Sequence, residues 1–144
     1  MNQRAANIGA AISFFAAGIV VGLGFIAAWV KFTATRPDLL DLLDVGRVQF
    51  GALHWVELAL VPLACLWIWL GGARGPRKWV AVTAVSFVIQ AVLIQPPLHT
   101  RMVERLAGKT LPDSNLHIAY VVVSLALTVA LVGQGFVAIS QKND

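Results

Sequence analysis

Residues 6–30 read ANIGAAISFFAAGIVVGLGFIAAWV, an apolar run of 25 residues without one charged side chain. A helix of that length is about 37 Å long at 1.5 Å per residue, which exceeds the ~30 Å hydrocarbon core of a bilayer. The run is also longer than the core of a signal peptide, and no small-residue cleavage site precedes a polar start. This stretch therefore predicts a retained transmembrane helix.

The rest of the chain repeats this pattern, and the predicted spans cover 6–30, 48–70, 79–97 and 116–139. Only 12% of the 144 residues are charged, about half of the ~25% usual in soluble domains. Because lipid offers no partners for backbone polar groups, such spans are expected to be helical. We predict one all-α domain over residues 1–144, an integral membrane antiparallel four-helix bundle.

Two loops carry the patterns of short helices that lie at the membrane surface. In the first loop, aspartates recur every three residues among leucines from Asp38 to Asp44. This spacing predicts an amphipathic interfacial helix whose acidic side faces solvent. In the third loop, residues 98–107 followed by Gly108 predict a second short helix.

Basic residues give a prediction of orientation, although their total number on the two sides is nearly equal. Arg74, Arg77 and Lys78 are packed into the short turn between the second and third spans. A concentration of basic residues in a short loop is typical of the cytoplasmic side. We therefore predict a bacterial inner membrane protein with both termini in the cytoplasm.

Several function classes are disfavoured by the composition. The basic residues flank the apolar runs and form no basic face, so nucleic-acid binding is not predicted. Cys65 is the only cysteine and lies within a span, so no intramolecular disulfide can form. Neither a nucleophile constellation nor a glycine-rich phosphate loop is present. The sequence favours a non-catalytic protein over an enzyme.

Polar and ionisable side chains concentrate at one end of the predicted bundle. His54 lies about six residues inside the second span, and Glu57 lies one turn deeper on the same face. The topology brings further polar residues to that end, namely Gln90, Gln95, His99, Arg101, His117 and Tyr120. The other half of the bundle is predicted to be almost purely apolar.

Glu57 is the most informative of these residues. An ionised carboxylate within a span is expensive unless it is protonated, paired or hydrated, so intramembrane acids are functional candidates. Three interpretations are open: a hydrogen-bonded pair that fixes helix register, a metal or cofactor site, and a proton or substrate pathway. We predict that Glu57 lies within hydrogen-bonding or one-water distance of His117.

Metal and haem binding are the cofactor hypotheses. His54 and His117 are candidate axial ligands of a haem held between spans two and four, although their depths differ by up to ~9 Å on the helical rise. A bare metal ion would take ligands from His54, Glu57, His99 and His117, since imidazole and carboxylate suit zinc, iron or copper.

Small residues in the first span suggest a packing surface. Gly18 and Gly22 form a G-x-x-x-G motif, accompanied by Gly9 and Gly24. Such residues allow another helix backbone to approach closely. Two interpretations are open for this face: packing within the bundle, and contact with a partner membrane protein or with a second copy of the chain.

Short motifs spread over nearly the whole chain carry a resemblance: Lys31-Phe32, Gly46-Arg47 with Phe50, Glu57, Gln90, Pro97, Arg101, Gly108, Leu116-His117 and Tyr120. Together they resemble small four-span bacterial membrane proteins of unknown function, distantly like the transmembrane protein 205-like family. The resemblance implies a four-helix architecture with a polar cluster in one leaflet, and it implies no reaction. Such relatives are expected to carry an acid and a lysine where this chain has Ser124 and Leu127, so a shared ion pathway is not implied.

Two classes of function follow from the sequence. The first is an accessory or structural subunit of a membrane complex. The second is a metal-, haem- or small-ligand-binding membrane protein that uses the His/Glu cluster at one end of the bundle.

Overall fold

The structure is a computed structural model that describes residues 2–30, 33, 38–72 and 75–140. Four helices in this part are long and apolar enough to cross a membrane, and we number them spans one to four: Gln3–Val30, Leu40–Leu70, Arg77–Leu106 and Leu116–Ser140. The predicted all-α fold with four membrane-spanning helices is confirmed, and the described residues contain no strand.

Some predictions fall outside the described residues. They concern the Lys31-Phe32 motif, Arg74 in the second turn, and the two chain ends at Met1 and 141–144.

The spans contain the following regular elements. Span one consists of α1 (Gln3–Ile19), a π-helical segment (Val20–Ala27) and the short α2 (Ala28–Val30). Span two lies within α3 (Leu39–Leu70), and span four is α6 (Leu116–Ser140). Span three consists of α4 (Arg77–Val88), a second π-helical segment (Ile89–Ile94) and α5 (Gln95–Leu106).

The two segments expected as surface helices are helical and are continuous with the spans. The first forms the initial turns of α3, which begins after the cap Asp38 and passes Gly46 without a break. With 32 residues, α3 is about 48 Å long, so it extends well beyond a ~30 Å hydrocarbon core. The second is α5, which follows the π-helical segment directly and ends before Gly108, whose φ is +82°.

Consecutive spans pack against each other, and span one also packs against span four, which closes the bundle. The backbone N–H of Asn2 donates to the carbonyl of Gly71 at 3.0 Å, so span one begins beside the second turn. Ala10, Ile68 and Ala138 form a small core near this place, which we call the turn end. The opposite end, where spans one and two and spans three and four are joined, is called the loop end.

Spans one and two approach each other closely at Gly9. A Cβ atom there would lie 2.8 Å from the backbone nitrogen of Ile68, a distance that real Cβ atoms essentially never show. Only glycine therefore fits without moving the backbone. Nearer the loop end, a Cβ at Gly24 would make an ordinary 3.4 Å contact with Leu53.

The π-helical segment of span three lies just before two prolines. Pro96 and Pro97 have no N–H groups, so two carbonyls one turn earlier lose their usual partners. A locally widened turn is a common accommodation of such a loss inside a membrane helix. Gln90 lies in this widened segment, and its side chain is buried in the bundle.

Candidate functional site

Three buried polar side chains form a hydrogen-bonded chain across spans two, three and four. The amide Nε2 of Gln90 donates to Oε2 of Glu57 at 2.8 Å. The hydroxyl of Ser124 donates to Oε1 of Gln90 at 3.1 Å. We call this set of three residues the loop-half polar chain. Gln90 is its centre because its amide serves as donor to one helix and acceptor from another.

Only one of the two carboxyl oxygens of Glu57 accepts a hydrogen bond within the loop-half polar chain. Its Oε1 is buried and has no hydrogen-bond partner among the described residues. Gln95 has the same feature, because its Nε2 donates to the carbonyl of Phe50 at 3.4 Å while its Oε1 stays without a partner in that part of the chain. Both oxygens can accept a hydrogen bond from a water molecule or from a polar group of a ligand.

A second buried polar chain lies in the half of the bundle nearer the turn end. The hydroxyl of Thr83 donates to Oε1 of Gln134 at 3.1 Å, and Nε2 of Gln134 donates to the hydroxyl of Ser13 at 2.8 Å. Ser13 donates in turn to the carbonyl of Gly9 at 2.7 Å. The prediction that this half is almost purely apolar is therefore wrong. We call Ser13, Thr83 and Gln134 the turn-half polar chain.

The loop-half and turn-half polar chains together connect all four spans by hydrogen bonds. The first joins spans two, three and four, and the second joins spans one, three and four. Interhelical hydrogen bonds between polar side chains stabilise contacts between membrane helices and select which faces meet. Among the three interpretations of Glu57, a hydrogen-bonded group that fixes helix register therefore has the support of the geometry.

Glu57 and His117, which are predicted to lie within hydrogen-bonding or one-water distance, form no direct hydrogen bond with each other. Glu57 bonds to Gln90, whereas His117 is exposed and meets the ring of Phe50 edge-on, with the centroids 6.4 Å apart. The reason is that His117 and the loop-half polar chain lie at different levels along the axis of span four. Ser124 marks the level of the loop-half polar chain, and His117 lies two turns, about 10 Å, nearer to the loop end.

The histidines do not form a metal site in the described part of the chain. No group of three His, Cys, Asp or Glu side chains that could hold a metal ion occurs there. His54 is half-buried with its ring near that of Trp55, at 6.3 Å between centroids, and His99 is exposed. The candidate ligands His54, Glu57, His99 and His117 therefore do not converge on one ion.

Two cavities lie side by side at the loop end. The outer cavity has a volume of about 240 Å³ and is lined by Arg101 among others. The inner cavity has a volume of about 220 Å³, and Tyr120 and Ser124 form part of its wall. Phe50 and His117 line both. The inner cavity therefore reaches the last member of the loop-half polar chain.

A haem held by two histidines does not fit these cavities. Of the two candidate axial ligands, His117 lines both cavities and His54 lines neither. Axial ligation requires the two imidazoles to face each other across a common slot. The geometry therefore gives the haem hypothesis no support.

Comparison with protein-family models, with curated proteins and with solved structures finds no match for this chain. The structure itself defines the class of protein: a four-span integral membrane protein with two buried polar chains and two cavities at the loop end.

Proposed function

We propose that the chain is a non-catalytic accessory or structural subunit of a membrane complex, and that it docks another transmembrane helix on span one. The orientation of two glycines carries this proposal. A Cβ atom at Gly18 or at Gly22 would meet nothing within 4 Å. The interpretation that these two glycines pack within the bundle is therefore wrong, although it holds for Gly9 and Gly24.

The outward glycines lie on one continuous stripe of span one. Phe15, Gly18, Gly22 and Ile26 follow one another at helical spacing, and the side chains of Phe15 and Ile26 are 63% and 57% exposed. Apolar side chains gain little from leaving lipid, so membrane helices associate through close van der Waals packing at small residues. A shallow groove between two large side chains is suited to such packing, and a second copy of this chain supplies the same groove.

Leucine at both glycines is expected to abolish co-purification of the partner helix. In the Gly18→Leu, Gly22→Leu variant, recovery of the partner after mild solubilisation should fall at least tenfold, equivalent to about 1.4 kcal/mol. Two differently tagged copies test for self-association, and mass spectrometry of the eluate tests for a different protein.

Gly51→Leu is the matched control for this experiment. A Cβ at Gly51 also meets nothing within 4 Å, but this glycine lies on span two. The control should therefore retain its partner. Equal recovery of the partner with the control and with the double variant would contradict the proposal that another helix docks on span one.

We also propose that the protein lies in a bacterial inner membrane with the turn end in the cytoplasm. Arg77 and Lys78 lie at the turn end, and the Arg77 guanidinium sits over the ring of Trp69 at 5.1 Å. An arginine stacked on an interfacial tryptophan is well placed to hold that end at the membrane surface.

Cysteine labelling tests this orientation. In a Cys65→Ala background, Lys109→Cys at the loop end should react with an impermeant thiol reagent added to intact cells. Lys78→Cys at the turn end should react only after the membrane is opened. The opposite pattern would reverse the proposed topology.

The second candidate function, small-ligand binding, is favoured by the loop-end cavities, to which the His/Glu cluster contributes only His117. Neither Glu57 nor His54 lines the outer or the inner cavity. A ligand in these cavities would instead meet aromatic rings, leucines and basic side chains.

A further inference from the structure

The outer cavity has an apolar wall built from three separate segments of the chain. The first turns of α3, the α5 helix and the start of α6 enclose it. Its volume of about 240 Å³ accommodates about eight water-sized groups, at ~30 Å³ for each. The apolar part of the wall consists mainly of Leu42, Leu43, Leu98, Met102 and Leu116.

The polar part of the same wall is positively charged. Arg101 and Arg105 line the cavity with Ser114 and His117, and no carboxylate belongs to its described lining. Arg101 donates from Nη2 to the carbonyl of Pro112, which uses one of its five N–H donors.

Neither of these arginines is neutralised by an acid within the described residues. The ion pairs there join Arg47 to Asp44 at 2.7 Å and Lys109 to Glu104 at 3.0 Å. Two uncompensated guanidinium groups beside an apolar cavity are expected to attract an anion. Arginine is also the residue that best matches the geometry of a phosphate group.

Exposed apolar side chains place this cavity at the boundary of the bilayer. Val45, Val48 and Val103, on two of the three helices that form its wall, are 53%, 59% and 44% exposed. Such side chains are suited to contact with lipid. Basic pockets between membrane helices bind anionic headgroups on the cytoplasmic side of membranes. The same pairing of guanidinium and phosphate applies to anionic lipids in the other leaflet, where the proposed orientation places the loop end.

We infer that the outer cavity binds an anionic phospholipid. The phosphate lies between Arg101 and Arg105, and the first methylenes of the acyl chains pack against Leu42, Leu43 and Met102. This site goes beyond the docking of a helix on span one, because it uses different elements and a different end of the bundle.

Native mass spectrometry of the purified full chain tests the site. Phosphatidylglycerol should be retained at concentrations at which phosphatidylcholine is not. Arg105→Gln should weaken phosphatidylglycerol binding about tenfold, equivalent to ~1.4 kcal/mol. Phosphatidylglycerol should also raise the melting temperature of the native protein, since a ligand that binds only the folded state stabilises it.

Arg47→Gln is the matched control, because Arg47 is paired with Asp44 and does not line the cavity. It should bind phosphatidylglycerol as the native chain does. A second variant, Met102→Glu, places a carboxylate in the cavity wall and should abolish retention.

Three results would overturn the proposal. The first is equal retention of phosphatidylcholine and phosphatidylglycerol. The second is unchanged binding in both Arg105→Gln and Met102→Glu. The third is complete displacement of the lipid by millimolar inorganic phosphate, which would assign the two arginines to a small soluble anion.

Discussion

Replacing Gly9 with alanine is expected to lower the melting temperature of the detergent-solubilised protein by about 10 °C, the shift that corresponds to ~3 kcal/mol in a chain of this size. The new Cβ would lie 2.8 Å from the backbone nitrogen of Ile68 and 2.6 Å from its Cγ1. Overpacking of a well-packed core typically costs about 1–3 kcal/mol. We expect the upper end here because a backbone atom cannot rotate away as a side chain can.

Gly51→Ala is the control for this substitution. It adds the same methyl group to another membrane helix at a position where a Cβ meets nothing within 4 Å. Alanine is a better helix former than glycine by about 0.5–1 kcal/mol, so the melting temperature should stay unchanged or rise. If Gly9→Ala and Gly51→Ala have the same melting temperature, spans one and two do not approach each other closely at Gly9.

The second large effect is expected from Gln90→Leu, which removes the centre of the loop-half polar chain. The variant removes the partner of Glu57 Oε2 and of the Ser124 hydroxyl, and because Glu57 Oε1 already has none among the described residues, the whole carboxyl is left unsatisfied. A buried polar group left unsatisfied costs about 1–3 kcal/mol, and more when it is charged. We expect a loss of about 3 kcal/mol in the free energy of unfolding, measured by denaturation in mixed micelles.

Gln134→Leu provides a matched comparison at the turn-half polar chain. It also removes a fully buried glutamine that joins two other spans, but its partners are the hydroxyls of Ser13 and Thr83. Hydrogen bonds between neutral groups in membrane proteins average about 0.6 kcal/mol, so a loss of about 1 kcal/mol is expected.

A double variant tests whether the Glu57 carboxyl causes the larger loss in free energy of unfolding that is expected for Gln90→Leu than for Gln134→Leu. Adding Glu57→Leu to Gln90→Leu removes both hydrogen-bonding partners, a change that can be nearly neutral. It should therefore restore much of the stability that Gln90→Leu loses. Failure to restore it would mean that the cost arises from packing and not from an unpaired carboxyl.

The four spans could be predicted from the sequence because their cause is local. An apolar run long enough to cross lipid must form a helix, whatever its neighbours are. The cap at Asp38 and the glycine stop at Gly108 follow from local chemistry in the same way. Gly46 does not interrupt α3, because glycine inside a helix costs only about 1 kcal/mol, and the helix continues into span two.

The partner of Glu57 could not be predicted, because it depends on how each helix is rotated about its axis. Gln90 also lies in the π-helical segment Ile89–Ile94, and sequence spacing based on a regular α-helix does not include such a segment. Spacing likewise identifies Gly18 and Gly22 as a small-residue face without giving the direction in which the face points.

The turn-half polar chain was not predicted, although the spacing of residues along span four indicates that Gln134 is buried. Ser124, Leu127, Leu131 and Gln134 follow one another three or four residues apart, and all four are buried on the inner face of span four. A polar residue on the same stripe as Ser124 is expected to point into the bundle. Applied to Gln134, this rule indicates a second buried amide that needs partners.

The helix α3 is continuous from the loop end to the turn end of the bundle. Leu42 near its start forms part of the wall of the outer cavity, and Ile68 near its end bears against span one at Gly9. Pro62 lies inside this helix and lacks the N–H that would bond to the carbonyl one turn earlier. One continuous helix therefore joins the wall of the outer cavity at Leu42 to the close contact between Ile68 and Gly9.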